Sequence, residues 1–404
     1  MGRLRVSTAG ESHGPAEVCI IEGLPAGITV TTGGIRRDLE RRRRGYGRGG
    51  RMAIETDSVR ILAGVRHALT LGTPVALLIE NRDHVSWRPA MQPEKPDFHH
   101  RWHVVTVPRP GHADLSGMAK YDHRDARNVL ERASARETVT RVAAGAIARE
   151  LLGVLGITIA GRVVAVGGVA DCTAADFLRP DSVNWQAVEE SPVGCADGEA
   201  EERMIAAVDA ARENGESLGG VFEIWAWGLV PGVGGYSTVE DRMDARLMGA
   251  LGSIPAIKGV EVGLGFAAAG LPGSAVHDAI LRSEDLAGEV RLVRDSNQAG
   301  GLEGGMTNGN PLILRAAMKP IPTLARPLPS VDVATMAAVS AHKERSDVMA
   351  VPAARVVGEA VVALELASAY LEKFGGDSLD DLKASLTAYE DRLEKRGLWC
   401  RFSR

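Results

Sequence analysis

The run Gly10-Glu11-Ser12-His13-Gly14-Pro15 places an imidazole beside a hydroxyl, bracketed by two glycines. Such a ring transfers protons near neutral pH if its geometry is fixed. A second candidate imidazole lies in Pro108-Arg109-Pro110-Gly111-His112-Ala113-Asp114, where two prolines stiffen the chain and Gly111 permits a sharp turn. Between the two comes the densest charge in the chain: Arg36, Arg37, Arg41, Arg42, Arg43, Arg44, Arg48 and Arg51 against Asp38 and Glu40. The whole molecule carries −5. Cations concentrated in an acidic protein point to a compact polyanion as ligand, not to bulk attraction for nucleic acid or membrane.

Three further segments carry anion-binding chemistry. Arg132 and Arg136 are four apart, which puts them on one face of a helix, and Ser134 adds a hydroxyl toward a phosphate or carboxylate. Gly300, Gly301, Gly304, Gly305 and Gly309 let backbone N–H groups approach a flat ring or a phosphate, and Lys319 and Thr323 follow as an anion clamp. Arg345 and Asp347, two apart, point the same way in extended chain. Each segment also has a plainer reading: surface ion pairs, tight turns, or capping by Asp347. Gly45-x-Gly47-x-x-Gly50 matches a dinucleotide fingerprint in form only, since an arginine-rich helical turn precedes it where a strand is needed. An RNA-binding Arg-Gly tract would be disordered, whereas the flanks here are helix- and strand-forming. His99, His100 and His103 lack a carboxylate or thiol at ligand spacing, so no metal site is expected.

Periodicity indicates the elements that must position these groups. Strands are predicted at 18–21, 59–65, 75–79, 157–169, 221–229, 260–266 and 312–317. Helices are predicted at 35–43, 129–155, 199–213, 241–251, 352–374 and 378–395, the last opening on a Ser378-x-x-Asp381 capping box. Their irregular alternation suggests an α+β or layered α/β fold and excludes a repeat protein. The chain has 404 residues, with 45% hydrophobic and 25% charged, the balance of a soluble globular protein. Aromatics are only 4% and glycines number 47, so the core must be aliphatic, with many turns. Cys19, Cys172, Cys195 and Cys400 are widely spaced and form no Cys-x-x-Cys pair, as expected of free thiols in a reducing cytoplasm. No apolar run reaches membrane-spanning length, and no signal-peptide pattern opens the chain.

In sequence order, Gly10-Glu11-Ser12-His13-Gly14, Arg41-Arg42-x-x-Gly45-Tyr46-Gly47-Arg48-Gly49, Arg109-Pro110-Gly111-His112-Ala113-Asp114, Arg132-Ala133-Ser134-Ala135-Arg136-Glu137-Thr138, Gly304-Gly305-Met306-Thr307-Asn308-Gly309, Met318-Lys319-Pro320-Ile321-Pro322-Thr323 and Arg345-Ser346-Asp347-Val348 resemble the motifs of chorismate synthase. The resemblance runs from about Arg5 to about Asp377 and implies one unit over residues 1–404. It implies a β-α-β sandwich with helices between antiparallel sheets, usually a homotetramer. The implied reaction is a 1,4-anti elimination of phosphate from 5-enolpyruvylshikimate 3-phosphate, with reduced FMN as a cofactor that undergoes no net redox change. NADPH would serve only indirectly, as the source of reducing equivalents. No segment is spare for a flavin-reducing domain, so an external reductase is the expected partner.

The same resemblance assigns roles. His13 would protonate or neutralise the departing phosphate, His112 would sit by the flavin, and Asp347 would assist proton removal. Ser12, Arg42, Arg48, Arg109, Arg136 and Arg345 would bind substrate anions, for which planar guanidinium groups suit better than ammonium groups. Arg42 and Arg48 could equally contact a nicotinamide nucleotide. Arg132, Ala133, Ser134, Pro255, Ala256, Gly304, Lys319, Pro320, Ile321, Pro322, Thr323 and Arg345 would hold FMN. Two residues depart from the family pattern. Pro255 stands where an amide side chain is frequent, and Met349 where a small residue is usual beside Asp347. A polyanion-binding protein and a nicotinamide-dependent oxidoreductase are the rival classes, and neither requires His13 and Asp347 to share a pocket.

Overall fold

The computed structural model describes residues 4–49, 56–94, 104–173, 175–284, 290–344 and 346–399. His99, His100, His103, Arg345 and Cys400 lie outside the described residues. In chain order the frame consists of β1 (Arg5–Ala9), β2 (Ala16–Glu22), α1 (Thr32–Arg43), β3 (Val59–Ala63), β4 (Val75–Glu80), α2 (Asp114–Tyr121), α3 (Arg127–Ala133), α4 (Thr138–Val154), β5 (Thr158–Val166), β6 (Val169–Ala170), α5 (Gly198–Asn214), β7 (Gly220–Trp227), α6 (Met243–Gly252), β8 (Ile257–Val262), β9 (Leu312–Met318), α7 (Val351–Phe374) and α8 (Leu379–Lys395). One antiparallel sheet runs β1-β2-β4-β3 and the other β8-β9-β7-β5-β6. Helix α4 packs on the first sheet, α7 on the second, and α4, α7 and α1 pack on one another between them. This is the β-α-β arrangement expected of the family fold.

Alternation along each strand decides which face meets the helices. On β2, Glu17, Cys19 and Ile21 turn inward and are buried, while Ile20 is exposed. On β4 the inward set is Val75, Leu77 and Ile79. Helix α7 is apolar on nearly every side, as an interior helix must be. Its small residues set the layer spacing. A side chain at Gly145 of α4 would put its Cβ 2.4 Å from Ala360 Cβ, and one at Gly358 would put it 2.7 Å from the Phe222 ring on β7.

Charged groups also sit within this packing. Glu359 of α7 is fully buried and accepts from Arg41 of α1 at 2.7 and 2.9 Å and from Arg149 of α4 at 2.8 Å. Arg41 also holds Glu189, at 2.6 and 2.8 Å. Part of the arginine run therefore locks helices together.

Several elements depart from the periodicity. The helix expected at 129–155 is two helices, interrupted at Ser134 and a 3-10 turn over Ala135–Glu137. The strand expected at 157–169 is cut after Val166, because Gly167 and Gly168 turn the chain at positive φ. The strand expected at 260–266 begins at Ile257 and ends before Gly263, also at positive φ. The capping box forms as expected: Ser378 Oγ accepts from Asp381 N at 3.2 Å and Ser378 N donates to the Asp381 carboxylate at 3.3 Å.

Gly145→Ala should cost about 1–3 kcal/mol, the range for overpacking a filled core. Urea unfolding of the purified variant measures this. Unchanged stability would mean that α4 and α7 can move apart without loss.

Candidate active site

A cavity of about 570 Å³ is lined by residues from across the chain. The segments that bring residues to it include the turn after β1, the end of α1 with its glycine loop, the Arg109–Ala113 loop, the break between α3 and α4, the Pro255 turn, the Lys319 turn, and the stretch from Ser346 into the start of α7. Ser12, His13, Arg42, Arg48, Arg109, His112, Arg136 and Asp347 all line it. Residues as far apart in the chain as Ser12 and Val357 are thereby drawn to one concave surface.

His13 is buried and held from several sides. Its Nδ1 lies 2.9 Å from Glu131 Oε1, and its backbone N–H donates to Glu131 Oε2 at 2.8 Å. The Glu131 backbone carbonyl accepts from Ser12 N at 2.9 Å. The Trp87 ring stacks on the imidazole with centroids 3.9 Å apart. Burial pushes the Glu131 carboxyl up, but hydrogen bonds and charge from His13, with Arg127 at 3.1 Å, outweigh it and hold the group below the usual carboxylate range. Sequence reasoning gave Glu131 no role beyond a surface ion pair. Only the fold brings it 118 positions back to His13.

His112 follows the same pattern. Its Nδ1 donates to the fully buried Asp114 at 2.5 Å, and Arg109 donates to the same carboxylate from Nε at 2.8 Å and Nη2 at 3.1 Å. Arg109 Nη1 donates to Thr323 Oγ1 at 3.1 Å. Burial raises the Asp114 pKa, but His112 and Arg109 together hold it well below the usual carboxylate range. Arg109 thus lines the cavity with a guanidinium that also secures His112.

The remaining arginines are also backed by carboxylates. Arg48 pairs with Asp347 at 3.0 Å, and Gly49 N donates to Asp347 at 2.6 Å. Arg136 is hydrogen-bonded to the buried Asp57. Arg42 donates to Thr138 Oγ1 and to Ala135 O, both at 3.0 Å, and its Nη1 stands 3.6 Å from Asp57. That Nη1 is buried with no hydrogen-bond partner. Burial pushes the Arg42 guanidinium down to about 10, opposed by Asp57 and reinforced by Arg136 and Arg48. It therefore remains charged at neutral pH with a donor unused.

The expectation that Arg132 and Arg136 share a helix face is corrected. The break at Ser134 (φ −62, ψ 142) separates them. Arg136 faces the cavity, while Arg132 turns to Thr8 at 2.6 Å, to Gly10 O at 3.3 Å and toward Glu17 at 3.5 Å. The same break exposes Ala133, Ser134 and Ala135 to the cavity. Of the residues expected to hold the flavin, Ala133, Ser134, Pro255, Ala256, Lys319, Ile321, Pro322 and Thr323 line it. Arg132, Pro320 and Gly304 do not, and Gly304 is exposed on the hairpin of Leu302–Glu303 and Met306–Thr307. Lys258, given no role from sequence, lines the cavity too, and the Lys319 pKa is lowered by burial and then by Lys258.

Both departures from the family pattern have physical readings. Pro255 opens a tight turn closed by Ile257 N to Ile254 O at 3.1 Å, with Ala256 at φ +71. Proline presets the first central residue of such a turn. Met349 is fully buried in the core against Gly47 and does not line the cavity.

Comparisons with known proteins place the chain in a family. The family model described as chorismate synthase matches residues 4–371. Chorismate synthase of Syntrophotalea carbinolica is 52% identical over 396 residues, covering 98% of this chain and all of that protein. That of Desulforudis audaxviator is 54% identical over 390 residues, covering 96% of this chain and 98% of its own. A solved structure, "Crystal Structure of Chorismate Synthase", superposes with a TM-score of 0.78 at 40% identity, covering 97% of this chain and 98% of that one.

Glu17, on the inward face of β2 behind this site, yields a pH prediction. Burial raises its pKa from the ordinary 4.5 to about 7, with Arg132 and Arg136 opposing. The folded state holds that proton more tightly than the unfolded chain does. Glu17 is therefore best tolerated below 4.5, and that advantage is lost as pH rises through about 7. Glu17→Gln should be more stable than the parent at pH 8 by about 1–3 kcal/mol, a gap that narrows toward pH 5. Urea unfolding at the two pH values checks this, and an equal gap at both would contradict it.

Proposed function

The chain belongs to the chorismate synthase family, lyases that carry out the last step of the shikimate pathway, and we propose that this cavity is where that step occurs. One observation carries the reading: His13, His112 and Asp347 share a single cavity with Arg42, Arg48, Arg109 and Arg136. The substrate, 5-enolpyruvylshikimate 3-phosphate, carries two carboxylates and a phosphate, and it loses the phosphate in giving chorismate. The arginines that line the cavity supply donors for all three groups. Arg42 and Arg48 lie in the same cavity as both histidines, which favours substrate anions over a separate nicotinamide nucleotide as their ligand.

The family requires a reduced flavin, and we read it as FMN. The cavity suits such a group. Ile254, Met318, Ile321, Ala353, Ala354 and Val357 form an apolar wall for a flat ring, and the cations serve a phosphate tail. Ala133, Ser134, Pro255, Ala256, Lys319, Ile321, Pro322 and Thr323 would hold it there. When bound, it supplies the electron density that a non-acidic ring hydrogen and a poor leaving group require. His13 delivers a proton to the departing phosphate. Asp347, its charge balanced by Arg48, assists removal of the ring hydrogen. His112, fixed by Asp114, holds the protonation state of its side of the pocket. The apolar wall excludes water, which strengthens each of these interactions.

No described helix is long and apolar enough to cross a membrane. We further propose a cytoplasmic homotetramer that receives reduced FMN from an external reductase, with NADPH only as the distant electron source.

An anaerobic assay with dithionite-reduced FMN tests this reading. The substrate should release phosphate and yield chorismate with reduced FMN, and not with oxidised FMN and NADPH alone. His13→Ala should lower kcat by about 10²-fold or more. Equal phosphate release by His13→Ala and the parent would remove His13 from the mechanism.

A further inference from the structure

We propose that Glu131 is the positioning residue of this site, holding His13 as the tautomer protonated on Nδ1 and directing proton exchange through Nε2. The inference rests on the reading of His13 as proton donor to the departing phosphate. The argument is geometric. A single carboxylate binds both the main chain and the ring of His13, at 2.8 and 2.9 Å, and the carbonyl of the same residue binds Ser12 N at 2.9 Å. Glu131 therefore fixes the loop and the imidazole as one body. An ionised carboxylate accepts hydrogen bonds and donates none. The ring nitrogen facing it must carry a hydrogen, which commits Nδ1 and makes Nε2 the atom that exchanges protons with a ligand in the cavity.

The surroundings keep Glu131 ionised and the ring still. Arg127 donates to Glu131 at 3.1 Å and to Glu344 at 3.0 Å, and its guanidinium lies 5.0 Å over the Trp87 ring that stacks on His13. Glu344 in turn pairs with His342 at 3.0 Å. Two carboxylates thus share Arg127, and only one of them touches the reacting histidine. Loss of the Glu131 charge would leave Arg127 paired through Glu344, so the local fold has a second anchor.

The substitution Glu131→Gln separates positioning from folding. It places one acceptor and one donor where two acceptors stood. The backbone N–H of His13 keeps the acceptor at the Oε2 position, Arg127 gives up its bond to the Oε1 position and stays on Glu344, and the amide NH₂ there faces Nδ1 and moves the ring hydrogen to Nε2. The tautomer is read by ¹⁵N NMR on ¹⁵N-histidine-labelled protein at pH 8, without flavin or substrate, with His13 assigned by its absence in His13→Ala. The parent should show Nδ1–H and Glu131→Gln should show Nε2–H. In the anaerobic assay with reduced FMN, kcat of Glu131→Gln should fall about 10-fold or more, with KM within about threefold of the parent. A parent protein with the hydrogen on Nε2 overturns the proposal, even if the variant does not fold. So does an unchanged tautomer in Glu131→Gln, or a changed tautomer with kcat intact. Full activity in His13→Ala is a different failure: it removes the reading of His13 itself, and the proposal with it.

Discussion

The pocket we propose for a substrate with two carboxylates and a phosphate has to be cationic before the substrate arrives, yet cations crowded together out of water repel each other and lose hydration. The protein meets this constraint by setting a carboxylate behind almost every positive group. Asp57 stands behind Arg42 and Arg136, Asp347 behind Arg48, Asp114 behind Arg109 and His112, and Glu131 behind His13 and Arg127. Apart from Asp347, which lines the cavity itself, the backing groups are more deeply buried than the cations they support, so there the positive charge lies outside the negative. The arrangement also explains why arginine dominates. A guanidinium can satisfy a carboxylate with some of its N–H groups and present the others elsewhere: Arg109 holds Asp114 through Nε and Nη2 and gives Nη1 to Thr323.

The fold supplies these carboxylates from short, sharply directed segments. Glu131 comes from the last turn of α3, just before the chain leaves helical geometry at Ser134. An unbroken helix over 129–155 would have carried Ala133, Ser134 and Ala135 in one regular wall. The interruption turns their backbone toward the cavity and starts α4 afresh at Thr138, where the hydroxyl accepts from Arg42. The two sheets hold the rest at fixed distance, since Gly145 and Gly358 allow α4, α7 and β7 no slack.

Much of this was legible in the sequence, and the limits have physical causes. Seven ordered motifs carried the family, and with it the sandwich that periodicity alone left as a mixed α/β fold. Residues 75–79 and 352–374 read correctly, and 221–229 did but for its last two residues after Trp227, because most of their positions are apolar and deeply buried. The break at Ser134 was invisible because Glu131 to Thr138 contains no proline or glycine, and the 3-10 turn is stabilised by long-range partners of Arg42 and Arg136. The backing carboxylates were hidden for a related reason. Asp57, Asp114 and Glu131 look like ordinary surface acids until the chain folds, and Glu131 was indistinguishable from a helix-surface partner of Arg132. Gly304 sits in a motif that the sequence grouped with the site, yet it is exposed on a hairpin away from the cavity of this chain.

Arg41 and Arg42 show how adjacent residues of one type come to do different work. On α1 they point about 100° apart, the angle between consecutive helical residues. Arg41 therefore reaches Glu359 and Glu189, while Arg42 reaches Thr138, Ala135 and the cavity. Both ends of this arrangement touch α4 or the turn before it. Glu359 accepts from Arg149 of α4 as well as from Arg41, so one buried carboxylate on α7 sets the rotation of α1 relative to α4. That rotation fixes where the Arg42 guanidinium emerges. A change at Glu359, with no atom in the cavity lining, would thus reach the site by turning the helix that carries Arg42. The helix lock and the anion clamp belong to one mechanical unit, joined by the adjacent Arg41 and Arg42.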